Sequence, residues 1–222
     1  MTLSDKEESI QQLTNVVLSG KIEESKQSTY AALAKGNTNG EVLDALVEAA
    51  SIVVDLQDVG QFDQTRLAAV ENSIMTCLQI LEEWLVKSQG RFGVKVTVGP
   101  VGLKTGAVLA VVMAAAFRSV GFYSTSLPNT QTALDLLRNS EEMGAHLVVP
   151  LFPSEGVEQQ LRSFAEELDH GGFKNKFEVI PIAPGLPDTV ETALIFARNS
   201  EEAISKATQW ALRKQGSRRE GA

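Results

Sequence analysis

Beyond Ser88 the sequence changes grammar, and that change limits the fold more than any other feature. From "SQGRFG" onward, short apolar runs alternate with amphipathic stretches: "VKVTVGP", then Lys104 to Ser119; "FYSTSL", then "TQTALDLLRNSEEMG"; "HLVVPLF", then "SEGVEQQLRSFAEELDHGG"; "FEVIPIA"; and "TALIFA", then "NSEEAISKATQWALRKQ". Strands that alternate with helices need crossover connections, so they predict a parallel sheet with both faces covered. Right-handed crossovers make a doubly wound, flavodoxin-like α/β sheet of five strands the natural solution. Such sheets bind ligands beyond the carboxyl ends of their strands, at the point where strand order reverses. "GPVGLKTG", "PLFPS" and "PIAPGLP" all fall there.

Residues 1–89 carry only helical periodicity. Ser4 and Glu7 have capping-box spacing before a stripe of Ile10, Leu13, Val16 and Val17, and Gly20 ends that stripe. "KIEESKQSTYAALAKG" is a second helix and "NTNG" a turn. "EVLDALVEAASIVVDL" is a third helix, "DVGQFD" a break, and "QTRLAAVENSIMTCLQILEEWLVKSQG" a fourth. The last has Leu67, Val70, Ile74, Leu78, Leu81 and Leu85 on one side. Four helices with short connections predict a bundle, so the domains expected are a helical bundle over 1–89 and an α/β domain over 90–222.

Composition excludes several functions. The 222 residues carry 28 acidic and 20 Lys or Arg side chains, a net charge of −8, which argues against nucleic-acid binding. The basic cluster Arg213, Lys214, Arg218 and Arg219 reads as a solvated, frayed end. The single cysteine, Cys77, permits no internal disulfide and reads as a small buried hydrophobe. The start "MTLSDKEESI" is too acidic for a signal peptide. The apolar run Ala107 to Phe117 is too short to span a bilayer, so a cytoplasmic protein with no membrane partner is expected.

Catalytic chemistry is scarce at the predicted ligand edge. "GPVGLKTG" lacks the glycine directly before lysine that a phosphate loop needs, although Thr105, Gly106 and the following helix amides could meet an acceptor-rich group. His146 lies at the amino end of its strand and His170 at a helix end, so both read as structural. Ser154 is either a crevice residue beside Glu155 or a helix N-cap. Asp188 and Glu191 read equally as cap and first-turn acid. Pro150, Pro153, Pro181, Pro184 and Pro187 stiffen the loops.

Bundle, linker and α/β domain, taken in that order, resemble the corrinoid proteins of methyltransferase systems over nearly the whole chain. The resemblance rests on "ESIQQLTNVVLSGKIEESKQSTYAALAKGNTNGEVLDALVEA", "DVGQFDQTRLAAVENSIM", "AAAFRSVGF", "SLPNTQTALDLLRNSEEMGAHLVV" and "ALIFARNSEEAISKA". It implies a helical cap domain, a B12-binding domain, cobalamin as cofactor, and a methyltransferase or its activator protein as partner, with a second copy of the chain as a further candidate. The family's Asp-x-His-x-x-Gly motif falls on "VGLKTG": Gly106 is kept, Leu103 stands at the histidine and Val101 at the aspartate. "PLFPS" and "PIAPG" depart from the family's Ser-x-Leu and Gly-Gly motifs. A leucine cannot ligate cobalt, so the resemblance implies cobalamin held base-on or over an apolar lower face, with no protein ligand and no catalytic residue. The contacts it implies are Val101, Gly102, Leu103, Lys104, Thr105, Gly106, Leu151, Pro153, Ser154, Pro181, Ile182 and Ala183, with Leu103 under the ring and Met75 of the helical domain above it. A methyl carrier or cofactor handler is the first reading. A sensory domain that binds cobalamin or, less readily, haem is the second, and a cofactor-free interaction module the third.

Overall fold

The computed structural model describes residues 3–220, except 59, 62, 104, 105, 130, 131 and 187–193; the side chains of 3, 4, 58 and 217–220 are also outside the description. The chain divides into two compact units, Met1–Lys87 and Ser88–Ala222.

The first unit holds α1 (Leu3–Leu18), α2 (Ile22–Ala34), α3 (Asn39–Asp58) and α4 (Gln64–Ser88). The apolar stripes are buried as their spacing predicts: Leu13 and Val17 of α1, Val42, Leu43, Leu46 and Val53 of α3, and all six of the α4 stripe. α1 already contains Ser4, so the capping box expected at Ser4 and Glu7 does not begin the helix. A box is present at Thr38, in the stretch read as a plain turn, and Glu41, the first residue read as the third helix. The Glu41 N–H donates to Thr38 Oγ1 (3.1 Å), and Glu41 Oε2 accepts from the Thr38 N–H (2.6 Å). The Thr38 N–H, and after it the Thr38 hydroxyl donating to the same Oε2 (2.9 Å), hold the Glu41 carboxyl below its usual range.

Cys77 is fully buried on α4. Burial pushes its thiol pKa up, and a hydrogen bond with Thr29 of α2 offsets part of that rise. A disulfide reagent is therefore expected to label Cys77 at least about 100-fold more slowly in the native protein than in urea, a rate ratio set by how rarely the helices open. Equal rates would show that the thiol is accessible.

The second unit holds β1 (Lys95–Pro100), α5 (Ala107–Ser119), β2 (Tyr123–Ser126), α6 (Ala133–Glu142), β3 (Leu147–Leu151), α7 (Val157–His170), β4 (Glu178–Val179) and α8 (Ser200–Glu220). Among the described residues the sheet has four strands in the order β2-β1-β3-β4, and every pair is parallel. The α/β class with a doubly wound order stands, but the strand count is lower than five. "FEVIPIA" forms only the two-residue β4 and an isolated bridge at Ile182: the Ile180 and Ile182 N–H groups donate to Val148 and Pro150 of β3, but Pro150 has no N–H to return to Ile180. Where "TALIFA" predicts a fifth strand, the described part offers one bridge, Ile182 to Ala197.

Alternation along the strands sorts the two faces. Val148 and Phe152 meet Leu136 and Leu137 of α6 and Leu161, Phe164 and Leu168 of α7 in one core. The Thr97 hydroxyl enters the same side and is paired with Ser140 Oγ at 2.7 Å, which satisfies both buried groups. On the other side α5 packs against α8, whose Ala203, Ala207 and Ala211 are fully buried at four-residue spacing and allow close approach. α8 runs on through Arg213 and Lys214 to Glu220, so the basic end expected to fray is helical.

Candidate functional site

The carboxyl edge of the sheet is built by three strand ends. The parallel order reverses between β1 and β3, so the loops after them flank the switch point. Past the last β1 residue, the Val101 N–H donates to the Leu151 carbonyl (2.8 Å). Past β3, the Phe152 N–H donates to the Ile182 carbonyl (3.0 Å), and the Ile182 N–H donates to Pro150 (2.9 Å). The Ala183 N–H donates to Ala197 (2.8 Å). Backbone pairing therefore continues beyond the strands and ties the three loops together.

Most of the predicted contact side chains point into the protein. Val101 is 7% exposed and belongs to the core with Phe152 and Phe164; Leu103 is 8% exposed. Leu151, Pro153, Pro181, Ile182 and Ala183 are buried too. Gly106 explains the turn of Leu103: a Cβ there would lie 2.5 Å from Pro100 Cβ and 2.9 Å from Leu103 Cβ, so the missing side chain is the space into which the loop folds. Gly102, at φ 74°, takes the left-handed conformation that lets the chain reverse. Among the described residues, Gly102 and Ser154 are the predicted contacts in this unit that remain exposed. Ser154 is not a helix cap, because α7 starts at Val157 behind Gly156. Lys104 and Thr105 lie outside the described residues, as do Asp188 and Glu191. Met75 is on α4 in the other unit and is 39% exposed.

The sequence reading missed Gln160. Its amide lies against the open face of Gly102, and its Oε1 is buried without a hydrogen-bond partner. The signal was present in α7, since position 160 falls one turn from both Val157 and Phe164, on the border of the apolar face. His146 sits at the far edge, where its Nδ1 accepts from the Lys95 N–H (3.0 Å), and His170 closes α7. Among the described residues, no group of three or more His, Cys, Asp or Glu side chains is placed to hold a metal ion. No helix among them is long and apolar enough to cross a membrane.

The sequence matches no protein-family model and no curated protein. Several solved structures are similar. The Methanosarcina barkeri monomethylamine corrinoid protein aligns over 91% of this chain and 98% of its own, at 13% identity and a TM-score of 0.63. A cobalamin-binding protein from Desulfitobacterium hafniense DCB-2 aligns over 90% of this chain and 98% of its own, at 13% identity and a TM-score of 0.45. The methanol:cobalamin methyltransferase complex of Methanosarcina barkeri aligns over 92% of this chain and 80% of its matched chain, at 12% identity and 0.43. The likeness to the monomethylamine corrinoid protein establishes a common fold, and at 13% identity it extends to nothing finer.

Proposed function

We propose that this chain is a corrinoid-binding protein that holds cobalamin with no protein ligand on cobalt, and that it serves a methyltransferase partner as methyl carrier or cofactor handler. The inward turn of Leu103 carries this reading. The loop after β1 lies at the switch point of a fold held in common with a corrinoid protein, yet at the position where the family resemblance expects histidine it presents a buried hydrocarbon. Cobalt ligation needs an exposed nitrogen, sulfur or oxygen, and the described residues of this loop have none on a side chain. In this reading the cofactor is base-on and rests on the exposed Gly102 and Ser154. The chemistry of methyl transfer would belong to the cofactor and the partner; this chain supplies the seat.

The burial of Val101, Leu103, Leu151, Pro153, Pro181, Ile182 and Ala183 also favours a second reading, a cofactor-free interaction module. One experiment separates the two. Purified protein is mixed with hydroxocobalamin and desalted. About one equivalent of pink, base-on cofactor is expected to remain, its spectrum unchanged in Leu103→Ala, because no side chain ligates the metal. A colourless protein overturns the corrinoid reading and leaves the interaction module. Haemin treated in the same way is expected to wash off; a retained Soret band would point to the sensory reading instead.

A further inference from the structure

Gln160 carries chemistry that its place in α7 does not need. It lies one turn from Val157 and Phe164 and next to Leu161, all three buried, so a hydrocarbon side chain would suit the position. Instead a carboxamide sits behind Gly102, with Oε1 buried and accepting no hydrogen bond. A buried acceptor without a partner costs folding free energy, and native chains keep few of them. Three other described side chains bury such an atom: Gln57 and Ser73 in the helical unit, and Ser124 within β2. Among these, Gln160 is the one that meets the loop leaving β1 at the switch point. Gly102 shares in the arrangement. It is exposed, and a Cβ there would collide with Oε1 and lie 3.0 Å from Cδ, so the amide is covered at this point by bare backbone. The rim of a corrin ring carries primary carboxamides, whose N–H groups are the donors that an orphan acceptor lacks.

We infer that Gln160 is a binding residue of the corrinoid seat: its amide turns out from behind Gly102, and Oε1 accepts a hydrogen bond from a carboxamide on the corrin rim. This rests on the corrinoid-binding reading above. The test is equilibrium dialysis of the full chain against cyanocobalamin, whose cyanide keeps surface histidines off the metal, for the parent, Gln160→Met and Gln160→Glu. Methionine keeps the length and removes the acceptor, whereas glutamate keeps an acceptor oxygen and removes the donor. Gln160→Met is expected to bind about tenfold more weakly, and Gln160→Glu to stay within about threefold of the parent. In urea without ligand, the midpoint of Gln160→Met is expected at or above that of the parent, because the variant no longer buries an orphan. Parent-like binding by Gln160→Met, equal weakening in both variants, or a lower unliganded midpoint for Gln160→Met each overturns the inference and leaves corrinoid binding intact. Failure of the parent itself to bind overturns the corrinoid reading, and the inference with it.

Discussion

Val101→Asp is expected to destabilise the α/β unit by about 3–5 kcal/mol at pH 7, the cost of a buried charge without a partner. Val101 is 7% exposed among the hydrocarbon side chains of Phe152, Leu161 and Phe164. Pairing the change with Leu103→His restores the lettering of a cobalt-binding loop but not its geometry, because both positions face inward. The cost should depend on pH. Burial raises the folded-state pKa of the new carboxyl above its unfolded value of about 3.9. The penalty is therefore complete above the folded pKa, shrinks as pH falls through it, and is gone only below about 3.9, where the acid is neutral in both states. Urea denaturation followed by Trp210 fluorescence, in a Trp84→Phe background so that only this unit reports, should show the gap from the parent narrowing with acid. A variant as stable as the parent at pH 7 would show that position 101 is not in the core.

Phe164→Ala is expected to cost about 3–5 kcal/mol by the same measurement. Phe164 is fully buried and meets Phe152 edge to face, with ring centroids 5.7 Å apart. Truncation removes that contact and leaves a cavity between α7 and the sheet. Phe164→Leu, which refills most of the volume, should recover more than half of the loss. The denaturation midpoint should fall without a change in slope, since the surface exposed on unfolding is nearly unchanged. Because Phe152 leads directly into Pro153 and Ser154, the same variant should also loosen the loop after β3.

The regular elements were legible because their side chains obey a period. Leu67 to Leu85 at helical spacing, and the apolar runs of β1 and β3, state both their element and their buried face. Where direction is set by contact across the fold, the sequence is silent. Leu103 reads as a residue in a glycine-rich loop; that it turns inward depends on the space left by Gly106 beside Pro100. Ser154 has the chemistry of a cap, but Gly156 sets where α7 begins. The fifth strand is predicted from hydrophobicity, whereas the bonds on the Ala197 side depend on Pro181, which accepts from Ala197 but cannot donate. Gln160 was hidden for the same reason as Leu103, since its neighbour Gly102 is nearly sixty residues away.

The backbone bonds from Val101, Phe152, Ile182 and Ala183 give the ligand edge a thermodynamic character of its own. Loops that close on a ligand lose chain entropy when they do so, and that loss weakens binding. Here the residues around the switch point are ordered as extensions of the sheet. The amides of Val101, Phe152, Ile182 and Ala183 are expected to exchange with solvent only when the sheet itself opens, and a molecule settling against these four finds them already ordered.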